Sequence, residues 1–232
     1  MNHFDVIVIG QGVMGLATTY ALAKRGVKVL GLEQNSLFHT KGSSHGESRI
    51  IRKAYFEHSN YIPLLEGAYK IWDELEVKSG EEIFKRCGLV FYTDPETSSV
   101  YKGTKSSAEL YKIPVEEIKL ADAKKRWPYF SAPENFVALY EADAGMIHVD
   151  QALRAFASLA KEKGAVIVEN EKFLQFKNSQ NETTVKTNMA SYTGKKIIFT
   201  GGGWTAGLPS EFLKILPLKL FRATQFWLSA PA

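Results

Sequence analysis

The sequence predicts an α/β fold built on a parallel sheet, and three observations carry that prediction. Phe4–Ile9 (FDVIVI) is an almost continuous apolar run, the pattern of a strand buried on both faces. It runs into Gly10-Gln11-Gly12-Val13-Met14-Gly15 and then into an alanine-rich helical stretch, Met14–Lys24. Late in the chain a second short apolar strand, Lys196–Thr200, enters Gly201-Gly202-Gly203-Trp204.

The remaining elements follow in order. Gly26 sits where a helix C-terminal cap belongs, and Val27–Leu32 is a second strand ending at Glu33, which completes a βαβ unit. Leu37–Arg52 is polar and glycine-bearing with no clear period, long enough to suggest a functional loop. Tyr61–Lys78 returns to helical spacing, with Leu64, Leu65, Ala68, Tyr69, Ile71, Trp72 and Leu75 on one apolar face and Gly80 at its end. Gly88–Thr93 reads as a strand, Glu96–Leu110 as a Ser-rich helix, and Ala121–Trp127 as a short helix stopped by Pro128. Val137–Tyr140 is a strand. Asp150 caps a helix over Gln151–Lys163 that buries Leu153, Phe156, Leu159 and Ala160. Strands follow at Ala165–Val168, Phe173–Lys177 and Thr183–Thr187, the last two joined by a polar turn, and Leu218–Leu228 reads as one more.

Composition narrows the partners. The 232 residues carry 29 basic and 25 acidic side chains without a dense basic block, so neither nucleic acid nor a membrane surface is expected as a partner. No segment approaches the ~18 uninterrupted apolar residues of a membrane helix. Cys87 is the only cysteine and the N-terminus lacks a basic leader, which points to a reducing, cytoplasmic setting. Asn181-Glu182-Thr183 matches a glycosylation acceptor, a triplet frequent by chance.

The glycine turn carries the first chemistry. Gly10 permits the tight turn, Gly12 leaves the backbone bare for a pyrophosphate, and Gly15 lets the helix pack close to the strand. The helix N-terminus beginning near Met14 favours phosphate anions. Glu33, eighteen positions beyond Gly15, can accept ribose hydroxyls and would repel a 2′-phosphate, which argues against NADP. The turn alone leaves FAD and NAD open. The Gly201–Trp204 turn favours FAD, because in two-dinucleotide-fold flavoproteins such a strand returns beside the first glycine turn.

A third stretch, Gly42-Ser43-Ser44-His45-Gly46-Glu47-Ser48-Arg49-Ile50-Ile51-Arg52, together with the two turns, resembles the family of monomeric sarcosine oxidase and N-methyltryptophan oxidase. The resemblance extends to Arg126-Trp127-Pro128, Pro133-Glu134-Asn135 and the Gly145 segment. It implies a FAD-binding, Rossmann-like domain formed by residues 1–80 and 144–208. A mostly antiparallel substrate domain is then interleaved at residues 81–143 and resumes at 209–232. It also implies oxidation of a secondary N-methyl amine of an amino acid by O2, giving aldehyde, amino acid and H2O2. His45 and Arg49 would lie against the flavin ring, where positive charge stabilises arriving electron density. Arg52 would pair with the substrate carboxylate. Gly10, Gly12, Met14, Gly15, Glu33, Ser43, Gly201, Gly203 and Trp204 would hold FAD.

Family members run well beyond 232 residues. Their flavin-attachment cysteine, oxygen-activating lysine and second carboxylate-gripping cation lie in a C-terminal half that this sequence does not contain, so that half is expected to be required. Cys87 does not match the attachment position. No zinc-protease motif, cysteine pair, nucleophile elbow or Walker loop competes, and no metal is expected. His3, His39, His58 and His148 are dispersed and read as surface or capping residues. The alternatives are a catalytically inactive flavin-binding module and an NAD-linked dehydrogenase.

Overall fold

A computed structural model describes residues 3–207 and 218–229. By their internal contacts these residues form two compact units, Met1–Glu47 with Val149–Thr224, and Ser48–His148 with Gln225–Ala232.

The first unit is built on a six-stranded sheet. Strand β1 (His3–Ile9) pairs in parallel with β2 (Val29–Leu32), and β2 pairs in parallel with β9 (Val166–Val168). On its other side β1 pairs with β12 (Ser191–Phe199), also in parallel, with Ile7 opposite Ile197 and Ile9 opposite Phe199. The first half of β12 turns its other edge to β11 (Thr183–Thr187), which continues antiparallel to β10 (Phe173–Asn178). The sheet order is therefore β10-β11-β12-β1-β2-β9, with two antiparallel strands on one side of a parallel core. The apolar pattern of β1 and β2 is explained by burial on both faces. Phe4, Ile7, Ile9, Leu30 and Leu32 pack with Val185 and Tyr192 in one cluster. Helix α1 (Val13–Lys24) packs on α5 (Val149–Glu162), where Tyr20 meets Phe156 with ring centroids 6.0 Å apart. Removing a buried aromatic such as Phe156 costs about 3–5 kcal/mol.

The second unit has two three-stranded antiparallel sheets. One joins β3 (Ser48–Ile51), β8 (Gly145–His148) and β4 (Phe84–Lys85). The other joins β5 (Leu89–Thr93), β7 (Val137–Glu141) and β6 (Glu116–Lys119). Helix α2 (Ile62–Ser79) follows a single 3-10 turn and ends on Gly80 at φ +73°. Helix α3 (Ser99–Tyr111) starts on a Ser98 cap, and α4 (Leu120–Arg126) stops before Pro128.

Several expectations need correction. The Leu37–Arg52 segment is not all loop, since β3 closes it; four residues with one buried side chain carry too little periodicity to read alone. The two-residue β4 and the short β6 and β8 were invisible for the same reason. Asp150 lies inside the first turn of α5, not at its cap, and pairs with Arg154 one turn on. Leu64 (70% exposed) and Ile71 (42%) face outward; of the expected face α2 buries Tyr69 and Leu75, and it buries Ile62 as well. Strand β12 begins five residues earlier than its apolar half suggested, because pairing with β11 recruits the polar Ser191–Lys195 stretch. Leu218–Leu228 is not a strand: those residues have no regular structure and are exposed.

Candidate functional site

In the first unit, a cleft of about 620 Å³ opens at the carboxyl ends of β1, β2 and β12. That is where open parallel sheets hold ligands. The turns after these strands line it, and each owes its shape to a specific residue. Gly10 adopts φ +93°, and a Cβ there would lie 2.8 Å from the Thr200 carbonyl oxygen. The Thr200 hydroxyl in turn donates to the Ile9 and Gly10 carbonyls, at 3.0 and 2.8 Å, which ties the two glycine turns together. Gly15 lies behind the cleft. A Cβ on it would fall 1.9 Å from the Gly10 carbonyl oxygen, so α1 can approach the strand only without one. Gly12 differs: the atoms nearest a Cβ there belong to the Ser44 side chain, the closest at 3.2 Å. Its backbone is bare toward the cleft.

The first four N–H groups of a helix have no intrahelical acceptor. For Val13 the acceptor is Ser44 Oγ, at 3.0 Å, from a residue thirty-one positions away. Gln11 is buried, donating to the Val8 and Gly10 carbonyls and accepting from Thr19. Gly31 in β2 makes the room, since a Cβ there would sit 2.6 Å from the Gln11 amide. Glu33, 5% exposed, ends β2 with its carboxylate held by main chain: Oε2 accepts from Gln11 N–H at 2.9 Å and Oε1 from Asn35 N–H at 3.0 Å.

Of the residues expected to hold a dinucleotide, Gly10, Gly12, Met14, Glu33, Ser43, Gly201, Gly203 and Trp204 all line this cleft. Sequence reasoning missed Ser44, Phe38, His39 and the Glu171–Phe173 stretch, which line it too. Phe38 sits at φ +63°, a left-handed conformation that costs about 1–3 kcal/mol and clusters at functional sites. His39, expected as a surface or capping residue, is in the cleft wall beside Glu33 and Trp204.

The family model described as FAD dependent oxidoreductase (DAO) matches residues 5–231. The chain belongs to the FAD dependent oxidoreductase family. Monomeric sarcosine oxidase of Bacillus sp. (strain B-0618) is 35% identical over 221 residues, 95% of this chain and 57% of that protein. N-methyl-L-tryptophan oxidase of Yersinia pestis (strain Pestoides F) is 32% identical over 224 residues, 97% of this chain and 59% of its own length. Among solved structures, NikD, an unusual amino acid oxidase essential for nikkomycin biosynthesis, aligns with TM-score 0.80 at 25% identity, covering 93% of this chain and 55% of NikD. L-proline dehydrogenase from P. horikoshii aligns at 0.78 and 25%, covering 92% and 56%. The chain spans about half the length of the curated relatives it matches. The cofactor of the family is FAD, and the cleft fits it: a bare Gly12 backbone at a helix N-terminus suits a pyrophosphate, and a buried carboxylate at the end of β2 suits a ribose.

In the second unit Arg49 lies on β3, opposite Ile147, and donates to Gln225 Oε1 at 2.8 Å. Arg52 follows β3 with its side chain 11% exposed. Its guanidinium lies over Tyr55, Phe56 and Phe91, at 4.3, 4.7 and 5.4 Å from the ring centroids. The backbone around it is clamped. Glu141 accepts from Lys53 and Ala54 N–H at 2.7 and 3.0 Å, and Ser107 on α3 donates to the Tyr55 carbonyl at 2.6 Å. Gly103 lets α3 press on this segment, since a Cβ there would lie 2.1 Å from the Phe56 carbonyl oxygen. One Arg52 nitrogen donates to both oxygens of Glu57, at 3.1 and 2.9 Å, while the Nε is buried with no hydrogen-bond partner among the described residues. His45 is half-buried in the first unit, on the loop that also supplies Ser43 and Ser44. Among the described residues no cluster of metal ligands occurs, and no helix is long and apolar enough to cross a membrane.

Proposed function

We propose that this chain supplies the FAD-binding portion and the substrate-carboxylate arginine of an enzyme that oxidises the secondary N-methyl amine of an amino acid with O2, giving aldehyde, amino acid and H2O2. The observation that carries the reading is a pair of built charges in a chain similar to sarcosine oxidase: Glu33 on the dinucleotide cleft, and Arg52 caged by three rings with an unpartnered donor. Bound FAD supplies the two-electron acceptor. The residues around it do the rest. Gly10 and Gly12 keep side chains out of the pyrophosphate path, with the N-terminus of α1 favouring the anion. Glu33 accepts from ribose, while Met14, Ser43, Gly201, Gly203 and Trp204 line the same cleft.

Arg52 is the carboxylate anchor. An amino-acid carboxylate would exchange places with Glu57, whose side chain is 43% exposed, leaving the displaced carboxylate to water. The buried Nε–H offers the additional donor a planar carboxylate can take. His45 and Arg49 supply positive charge for the flavin ring, a role that rests on the resemblance of their motif. Residues 1–80 and 144–208 then form the FAD domain, and residues 81–143 and 209–232 belong to the substrate domain.

The cofactor half of this reading is tested by heat or acid extraction of the purified chain: FAD in the extract is the expected result, and NAD without flavin overturns it. The substrate half is tested by sarcosine-dependent peroxide formation in protein that contains this chain. FAD without such turnover would leave a flavin-binding module of another function.

A further inference from the structure

We infer that the Gln11 side chain is a positioning residue for FAD: from beneath the first glycine turn it holds the Gly10–Gln11 peptide with its N–H on the Glu33 side and its carbonyl turned away from the cleft. The inference rests on the cofactor reading above. Gly10 has no Cβ and sits at φ +93°, so the peptide that follows it can turn over at little cost. Turned over, it would exchange its two ends and set a carbonyl oxygen against the Glu33 carboxylate in the cleft wall. Both ends are held against this. The carbonyl oxygen faces Gly15, behind the cleft, and accepts from Gln11 Nε2 at 3.1 Å and from the Thr200 hydroxyl at 2.8 Å. The N–H of the same peptide donates to Glu33 Oε2 at 2.9 Å.

Gln11 is 3% exposed, and each polar atom of its amide is bonded. Nε2 donates to the Val8 carbonyl at 3.2 Å as well as to Gly10, and Oε1 accepts from the hydroxyl of the fully buried Thr19 at 3.1 Å. One amide therefore joins β1, the turn and α1. The seat for it is made in β2, where a Cβ on Gly31 would lie 2.6 Å from the amide carbon and Oε1, and Gly31 is not among the residues lining the cleft. Packing alone would be served by a hydrocarbon of the same length, at no cost of burying polar atoms. Only a donor can hold the two carbonyls. A turn that divides its time among several shapes binds its ligand in proportion to the competent fraction, so holding the turn before FAD arrives raises affinity without touching the cofactor.

The test compares FAD affinity, read by quenching of flavin fluorescence on the whole chain, with amide hydrogen exchange and unfolding of the apoprotein. Gln11→Met combined with Thr19→Val keeps the volume of both side chains and leaves no hydroxyl without a partner, so the unfolding midpoint should stay near wild type. FAD should nevertheless bind about tenfold more weakly, the value of one hydrogen bond expressed as a competent fraction. Exchange of the amides at positions 11 and 12 should quicken by about the same factor, while those of Ile7, Val8 and Ile9 keep their wild-type rates. Gly31→Ala, outside the cleft, should also weaken FAD by driving the amide from its seat. In a Gln11→Ala background it should cause no further loss, because its Cβ then has room. This second pair decides the question if the first variant does not fold. Wild-type affinity in Gln11→Met/Thr19→Val overturns the inference, and so does a loss accompanied by faster exchange throughout β1, which would make Gln11 a packing residue. Both outcomes leave the cofactor reading standing. A wild-type chain that binds no FAD would overturn that reading and this inference together.

Discussion

Glu33 and Arg52 are both nearly buried charges, each assigned a ligand in the proposed function, but they are held in opposite ways. The Glu33 carboxylate is fixed by main-chain N–H groups of Gln11 and Asn35, which cannot leave without unfolding the turn. The Arg52 guanidinium is fixed by the side chain of Glu57, which is itself half-exposed. Main-chain donors make a site that is finished before its ligand arrives. A side-chain counter-ion makes one that a ligand completes by displacement. The first arrangement suits a resident cofactor and the second a substrate that must leave each cycle.

The largest effect should separate the glycines that build the first site from the one that serves its ligand. Gly15→Ala places a Cβ 1.9 Å from the Gly10 oxygen, and the backbone has no rotamer by which to yield. Loss of about 3 kcal/mol or more in denaturant unfolding is expected, beyond ordinary overpacking. Gly12→Val should leave unfolding within about 1 kcal/mol, since only the Ser44 side chain must adjust, yet abolish FAD binding. Equal stability losses in the two variants would break the distinction.

Next comes the displaceable site. Arg52→Ala should weaken carboxylate substrates about ten- to a hundredfold, and an amine lacking the carboxylate far less. Glu57→Gln removes the competitor and should tighten carboxylate binding by a few-fold, measured by titration with acetate or an N-methyl amino acid. Tightening by neutralising a nearby acid is the signature of displacement; weakening would make Glu57 part of the binding geometry instead.

Smaller effects calibrate each side. Ser44→Ala removes the acceptor from Val13 N–H and should cost about 1 kcal/mol, the value of a helix-capping contact, with some loss of FAD affinity. Glu117 and Lys105 provide an exposed comparison for the caged Arg52 pair. The Lys105 ammonium, and then the Tyr101 hydroxyl, hold the Glu117 carboxyl below its ordinary 4.5 against the opposing effect of burial. A lowered carboxyl pKa stabilises the fold above the ordinary value, and the gain is lost as pH falls through the lowered one. Exposure of 44% and 37% screens the pair, so the gain is at most about 1 kcal/mol. The gap between wild type and Glu117→Gln should narrow as pH falls below the ordinary 4.5 and close as it passes the lowered carboxyl value.

The glycine turn, its flanking strand and helix, and Glu33 were legible in the amino-acid sequence because each states a local constraint. Buried parallel strands are apolar throughout, a left-handed turn selects Gly10, and a helix packed against a turn selects Gly15. The Gly42–Arg52 stretch was legible as a motif, though not as a mechanism. What the tertiary structure decided was which groups meet. Ser44 reaches the α1 N-terminus across thirty-one positions, and Glu141 clamps the backbone after Arg52 from eighty-seven or more away. Gly31 exists for Gln11, His39 turns inward to Glu33, and Glu57 claims Arg52. Short strands such as β3 and β4 form because a neighbour supplies the pairing, and Leu218–Leu228, strand-like in composition, lacks regular structure. Local sequence fixes torsions and periodicity, whereas hydrogen-bond partners, counter-ions and strand neighbours are set by distances that exist only once the chain has folded.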